Sequence, residues 1–296
     1  MLKKFFMTVS VSRPVAGIFW GAIIISFSSV MVTLSHVNPI ISAFYRVFWG
    51  CLFLLIPCGL NNEFKQIDLK PCLGAVGCGF FFAVDLISWH FCIEYVGPGL
   101  ATILGNLQVF IMALVGAFLF KERLGTAYMI ALTLAILGLY MIIGMDMAQL
   151  TPEYLTGVGL GVITALSYSV FLLLMRMVHS GDDVPMFIYQ VIVTGVCALI
   201  IGSIAVFMGR SFIIPDFSSL AALVCLGLLS QGLAWVIISH YLPRVDTSRA
   251  GLILLLQPAL SFVWDVVFFD RLTGMMGWLG VSIVLSAIYM GMMRRA

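Results

Sequence analysis

Long apolar stretches separated by short polar connectors run the length of this chain. Ten runs each hold about twenty largely apolar residues, the length that crosses the hydrocarbon core of a bilayer. They are 14–35, 39–59, 72–94, 98–120, 126–145, 154–176, 185–208, 217–240, 247–269 and 274–293. The runs are apolar on every face instead of alternating, so the pattern predicts transmembrane helices and not the strands of a barrel. Asn38-Pro39 parts the first two runs, and a polar connector from Asn61 to Pro71 parts the next two. Gly97-Pro98-Gly99 predicts a tight turn between the third and fourth, and Gly181, Asp182, Asp183 and Pro185 separate the sixth from the seventh. In each case a helix start falls at or beside a proline, where a missing N–H costs little. Lys3 and Lys4 precede the first run as in a signal peptide, but Arg13 interrupts it and no small-x-small cleavage site follows. A retained first helix is the expectation.

Composition sharpens this picture by exclusion. Of 296 residues, 62% are hydrophobic and 9% charged, against about half and a quarter in a soluble domain. That excludes a soluble globular enzyme and a disordered chain. A net charge of +2 is too weak for a nucleic-acid binder. The seven cysteines fall in or beside apolar runs and read as buried small hydrophobes, not as a disulfide framework. The cations set an expected topology. With a cytoplasmic N-terminus, twelve of the fifteen Lys and Arg fall in inside segments, only Arg210 and Arg271 fall outside, and Arg46 lies within a span. Both termini are therefore expected inside, in a bacterial inner membrane.

The chain also shows internal similarity at an offset near 149 residues. Ala101-Thr-Ile-Leu-Gly-Asn-Leu-Gln108 aligns with Ala250-Gly-Leu-Ile-Leu-Leu-Leu-Gln257, and Glu122-Arg123-Leu124 then aligns with Asp270-Arg271-Leu272 after one residue of slippage. Each half holds five spans. An odd number sends the second half into the membrane from the opposite side, which is the inverted repeat of many secondary transporters.

These residues resemble the drug/metabolite transporter superfamily, in its EamA-type branch. Trp20-Gly21, Arg46, Lys121-Glu122-Arg123-Leu124, Gly161 to Arg176, and Leu256-Gln257-Pro258 followed by Asp270-Arg271-Leu272 carry the resemblance. Val109 stands where the family has a proline in the first half, and the acid of the second signature is Asp instead of Glu. The resemblance implies an all-α integral membrane protein of ten transmembrane helices in two inverted five-helix repeats, 14–145 and 154–293. It implies a central cavity and carriage of small organic solutes such as amino acids, nucleotide-type metabolites or drugs. No cofactor or metal is implied, and no nucleic acid. The partners are a small solute and the lipid bilayer, in a monomer or a homodimer.

Polar residues inside the spans are the candidate site. A charge at bilayer depth costs roughly 2.5–3.5 kcal/mol even on lenient scales, so Arg46, Asp85 and Asp265 each need a partner, water or a function. Asp85 falls near mid-membrane with Trp89 one turn away on the same face, a pairing that suits a cationic or zwitterionic ligand. A proton-carrying role and an ion pair with Arg46 are the other readings of Asp85. Arg46 is read first as structural, and Asp265 as an ion pair or gate. Asn106 and Gln108, two residues apart, point to different faces; the repeat alignment selects Gln108, with Gln257 as its symmetry mate. Gln231 and Trp235 are one turn apart in the eighth span, and Tyr168 and Trp20 complete a candidate aromatic wall. The four histidines read as residues of span ends and loops, with no metal-ligand spacing.

No nucleotide-binding motif is present, so transport would draw on a gradient, an exchanged solute or the proton-motive force. The expected function is a secondary carrier working by alternating access, exporting amino acids or related amine-bearing metabolites. Uptake or exchange of a nucleoside-type metabolite such as S-adenosylmethionine is the alternative. An intramembrane enzyme would need paired catalytic groups at helical spacing, and the spans hold none. A non-transporting receptor has no need of an inverted repeat.

Overall fold

The computed structural model describes residues 12–143, 151–181, 184–270 and 272–292, with the backbone alone at 97–100, 103, 143 and 292. The readings of Lys3, Lys4, Asp182, Asp183 and Arg271 lie outside the described residues. Those residues are all-helical, with no strand among them. In chain order the helices are α1 (Arg13–Ser26), α2 (Ser28–Leu34), α3 (Pro39–Leu60), α4 (Leu69–Asn106), α5 (Gln108–Phe118), α6 (Thr126–Ile143) and α7 (Pro152–Val178). There follow α8 (Met186–Phe207), α9 (Phe217–Leu226), α10 (Trp235–Tyr241), α11 (Thr247–Leu254), α12 (Leu256–Phe269) and α13 (Met275–Met292). Among the described residues, seven helical stretches are long and apolar enough to cross a membrane, and three shorter apolar helices accompany them. The outer face is apolar: Phe207 is 92% exposed, and Phe118, Leu199 and Met177 are also largely exposed. Each such side chain would cost about 1.5–3 kcal/mol in water, and together they suit lipid.

Local chemistry starts the helices. Pro39, inside the first turn of α3, follows Asn38, whose Oδ1 accepts from Ile40 N at 3.1 Å. Pro152 opens α7 behind Thr151, whose hydroxyl accepts from Tyr154 N at 3.2 Å. Asp216 caps α9 by accepting from Ser219 N at 2.7 Å.

Four long apolar runs are interrupted mid-way, where the sequence pattern predicts continuous helices. Three of these breaks are a single tightened turn, with i→i+3 bonds at Phe27 (to Ile24 O, 3.3 Å), Leu107 (to Leu104 O, 3.1 Å) and Leu255 (to Leu252 O, 3.2 Å). Pro258 explains the last, because it has no N–H for the carbonyl of Leu254. No proline stands at the Leu107 break; there Asn106 Nδ2 donates to Thr102 O at 2.8 Å, competing with the helical ladder. At Phe27 the Ser26 hydroxyl bonds back to Ile23 O at 2.6 Å. The exposed backbone is taken up from α12: Ser261 Oγ donates to Ser26 O at 3.1 Å, Trp264 Nε1 donates to Ser26 Oγ at 2.8 Å, and the Phe27 and Trp264 rings stack at 4.3 Å. The fourth interruption is a π-helical stretch, Gly227–Ala234, joining α9 to α10.

Helical backbone runs from Leu69 to Asn106, through the predicted tight turn at Gly97-Pro98-Gly99 and without a separate connector. The chain nevertheless doubles back within α4. A Cβ at Gly105 would lie 3.8 Å from Trp89 Cδ1, although the straight helix between them would span about 24 Å. Cys92, Ala101 and Leu104 bury together with Trp89, Val96 and Leu107 around the reversal. The reversal seats both limbs of α4 on α7, where Gly157 meets Val96 and Gly161 meets Leu104. The pairings α3–α8, α4–α7, α5–α11 and α6–α13 each join an early helix to a late one. Gly138 and Gly280 bring α6 and α13 backbone to backbone, each carbonyl within 2.7 Å of the position a Cβ on the other would take.

Candidate functional site

The helix breaks and the facing helices enclose one cavity of about 490 Å³. Short rows at helical spacing build its walls: Ser42 and Arg46 on α3, Asp85 and Trp89 on α4, Thr164 and Tyr168 on α7, and Gln257, Ser261 and Asp265 on α12. The tightened turns add Ser28 and Ser29 from α2, and Gly105 and Asn106 from the end of α4. Trp235 enters at the end of the π-helical stretch, only 2% exposed. It is held edge-on between Phe171 (4.8 Å, 81°), Phe82 (5.9 Å, 69°) and Tyr168 (6.3 Å, 82°). Three aromatic neighbours fix its ring, so its indole N–H has one direction to point.

Arg46 and Asp85 face one another without a salt bridge. Arg46 lies with its guanidinium carbon 5.9 Å from the Phe82 ring centre and within electrostatic range of both Asp85 and Tyr168. No salt bridge joins Arg46 to Asp85, so the ion pair that was one reading of Asp85 is not formed. The Tyr168 hydroxyl meets the side chain of Gln257. Five buried polar atoms on the cavity residues have no protein partner: Ser42 Oγ, Arg46 Nε, Thr164 Oγ1, Trp235 Nε1 and Gln257 Nε2.

Seven of the residues singled out from the sequence therefore come together here: Arg46, Asp85, Trp89, Tyr168, Trp235, Gln257 and Asp265. Three do not. Gln108 is buried between α5 and α11, with Oε1 3.7 Å from the position of a Cβ on Gly251. The tightened turn at Leu107 changes the helical phase, and it is Asn106 that faces the cavity. Gln231 is 1% exposed and packs its stem against Gly50 of α3. Trp20 is 60% exposed on the apolar outer face. His90, expected at a span end, lies within α4 and lines the cavity. Ser42, Phe82 and Thr164 went unremarked in the sequence; their only signal is a position one turn, or nearly so, from Arg46, Asp85 and Tyr168.

The cavity residues cluster toward one end of the spans, and the other end is tied shut by polar contacts. Glu122, just beyond α5, accepts from Thr247 N (2.6 Å), Ser248 N (3.0 Å) and Ser248 Oγ (2.7 Å) at the start of α11. Gly116 makes room for it, since a Cβ there would lie 2.5 Å from Glu122 Oε2. Arg176, at the end of α7, donates to the carbonyls of Val245 (2.5 Å) and Leu242 (3.3 Å) and lies over the Phe120 ring at 5.0 Å. Glu63 accepts from Phe187 N (2.7 Å) and Ile188 N (2.8 Å) at the start of α8. These acids satisfy helix N-termini from distant segments.

Residues 14–144 match the EamA-like transporter family. The first half of the chain is EamA-like. The chain is 22% identical over 276 residues to the uncharacterized transporter YxxF of Bacillus subtilis, covering 91% of this chain and 86% of that one. It is 23% identical over 286 residues to a probable amino-acid metabolite efflux pump of Escherichia coli, covering 86% and 95%. It is 24% identical to a protein of the same description from Salmonella typhimurium, covering 92% and 90%. A solved crystal structure with 18% identity superimposes at a TM-score of 0.79 over 95% of this chain and 96% of its own, which shows that this chain shares that fold. The sequence resemblance and the match over residues 14–144 point to the same family, and the long apolar helices suit a multi-pass membrane protein.

Proposed function

We propose that this chain is a secondary active transporter of small organic metabolites, with amino acids and related amine-bearing metabolites as its substrates and export as its direction. The observation that carries this reading is the cavity itself, where Arg46 and Asp85 from early helices meet Tyr168, Trp235 and Gln257 from late ones. A carboxylate beside an aromatic face attracts an ammonium by charge and by the ring quadrupole. Relatives described as amino-acid metabolite efflux pumps point the same way.

Alternating access is the mechanism this arrangement supports. The ten apolar stretches, with the two limbs of α4 taken separately, fit two inverted five-helix repeats at 14–145 and 154–293, with both termini cytoplasmic in a bacterial inner membrane. The cavity end is open, and the opposite end is tied at Glu122 and Arg176. Exchanging which end is tied moves the solute across. One chain holds the whole cavity, so a monomer suffices, alone or within a homodimer.

The test is uptake of radiolabelled amino acids into proteoliposomes holding purified protein, with and without a proton gradient. Gradient-dependent flux that Asp85→Asn abolishes is the expected result. Flux no greater than in protein-free liposomes across an amino-acid and amine panel would overturn the reading.

A further inference from the structure

The five unpartnered atoms of the cavity share one chemical character. Arg46 Nε, Trp235 Nε1 and Gln257 Nε2 are donors only, and the hydroxyls of Ser42 and Thr164 can both donate. Ser42, Thr164 and Trp235 are each at most 3% exposed. A buried donor left without an acceptor is costly, and five on residues that line one cavity are not a packing accident. They are spread over four segments, α3, α7, α10 and α12, whose contacts link them. Phe82 bridges Arg46 and Trp235, and Tyr168 bridges Trp235 and Gln257.

We infer that this donor set is a binding site for the carboxylate of the transported solute, so that the solute is recognised by its acid group and not only by its amine. The inference rests on the transporter reading and deepens it. Arg46 takes on the substrate contact that the sequence reading withheld from it, and Trp235 and Gln257 act as hydrogen-bond donors beyond their role as wall. A carboxylate fits better than a phosphate for a charge reason. The cavity holds one cation, Arg46, with the Asp85 carboxyl in its electrostatic range. A dianion would outweigh that single cation, whereas a zwitterion brings its own cation. Asp85, in electrostatic range of Arg46, is placed for an ammonium on the carbon next to the carboxylate. Asp265 is two helical turns from Gln257, about 12 Å along α12, too far to serve the same α-amino acid. The predicted ligand class is therefore a free α-amino acid, and blocking or removing its carboxylate removes its recognition.

The test is ligand-induced thermal stabilisation of the detergent-purified protein, read as apparent affinity. The probes are L-leucine and L-phenylalanine, their C-terminal amides, and the amines left when the carboxylate is removed. The amino acids are expected to bind at least about tenfold more tightly than the matched amides and amines, the scale of one hydrogen bond to a charged group. Two variants locate the effect. Trp235→Phe keeps the ring and removes one donor, and should weaken amino-acid binding about tenfold and narrow the preference for the free acid over the amide and the amine. Gln257→Glu puts a carboxylate in place of a donor at the same shape, and should abolish the preference for the free acid. Equal binding of acids, amides and amines overturns the inference, as does the absence of any shift with the amino acids. The two readings fail separately. Acid-dependent binding with no flux in proteoliposomes overturns the carrier and leaves the carboxylate site, while flux that ignores the carboxylate overturns the site and leaves the carrier.

Discussion

Glu122 ties the end of α5 to the start of α11, and Glu122→Gln tests how much that tie holds. The carboxylate accepts three hydrogen bonds, one at Oε1 from Thr247 N and two at Oε2 from Ser248 N and Ser248 Oγ. Hydrogen bonds to a charged group contribute about 1.5–3 kcal/mol each. Glu122 is partly exposed, so the low end applies, and bonds that share one oxygen do not add fully. The glutamine keeps one acceptor and turns the other oxygen into an amide that faces two donors. The expected loss is about 2 kcal/mol, or roughly 30-fold in the opening equilibrium of this end. Hydrogen exchange followed by mass spectrometry reads it directly. The amides of Thr247 and Ser248 should exchange roughly 30-fold faster in the variant, while α3 and α8 keep their protection. Unchanged exchange at the start of α11 would refute the reasoning, and a uniform loss across the bundle would show that Glu122 supports the whole fold instead of one latch.

Glu63→Gln should produce the same signature at a second contact, with faster exchange at Phe187 and Ile188 and no change at Thr247 and Ser248; deprotection at both contacts would mean that the two acids act as one unit. Gly138→Ala places a Cβ 2.7 Å from Gly280 O, a backbone atom that moves only with its helix, so α6 and α13 must part at a cost of about 1–3 kcal/mol. An unchanged melting temperature in detergent would contradict that crossing. At Asp216 the bond from Ser219 N holds the carboxyl below the usual aspartate range. A depressed acid contributes stability above its unfolded value, and that contribution fades as pH falls through the lower folded value. The stability gap between wild type and Asp216→Asn should therefore close as pH drops below about 4, and a gap that does not change with pH would rule out the charged cap.

The sequence alone determined where this chain is helical and that it belongs in a lipid environment. Helical identity there is local: a run of apolar residues with Asn38-Pro39 or Thr151-Pro152 before it contains its own start signal and its own solvent preference. The buried charges were legible for the same reason, since Arg46, Asp85 and Asp265 stand out against apolar neighbours whatever they face. Which faces turn inward was not legible. Gln108 aligned with Gln257, yet a turn tightened at Leu107 gives the cavity Asn106. Trp20 has the composition of a site residue, yet lies on the outer surface. The break at Leu255 follows from Pro258, but those at Phe27 and Leu107 depend on side-chain bonds that compete with the helical ladder, and at Phe27 on partners from α12.

Only the tertiary structure decided the site. Glu122 meets Thr247 and Ser248 across 125 and 126 residues, and the five donors meet from four segments. Such pairings depend on how helices cross, and a crossing is set by contacts between distant segments, as where Gly138 meets Gly280 or Gly161 meets Leu104. A single apolar run can specify that it crosses a membrane. What it faces inside is specified by its neighbours.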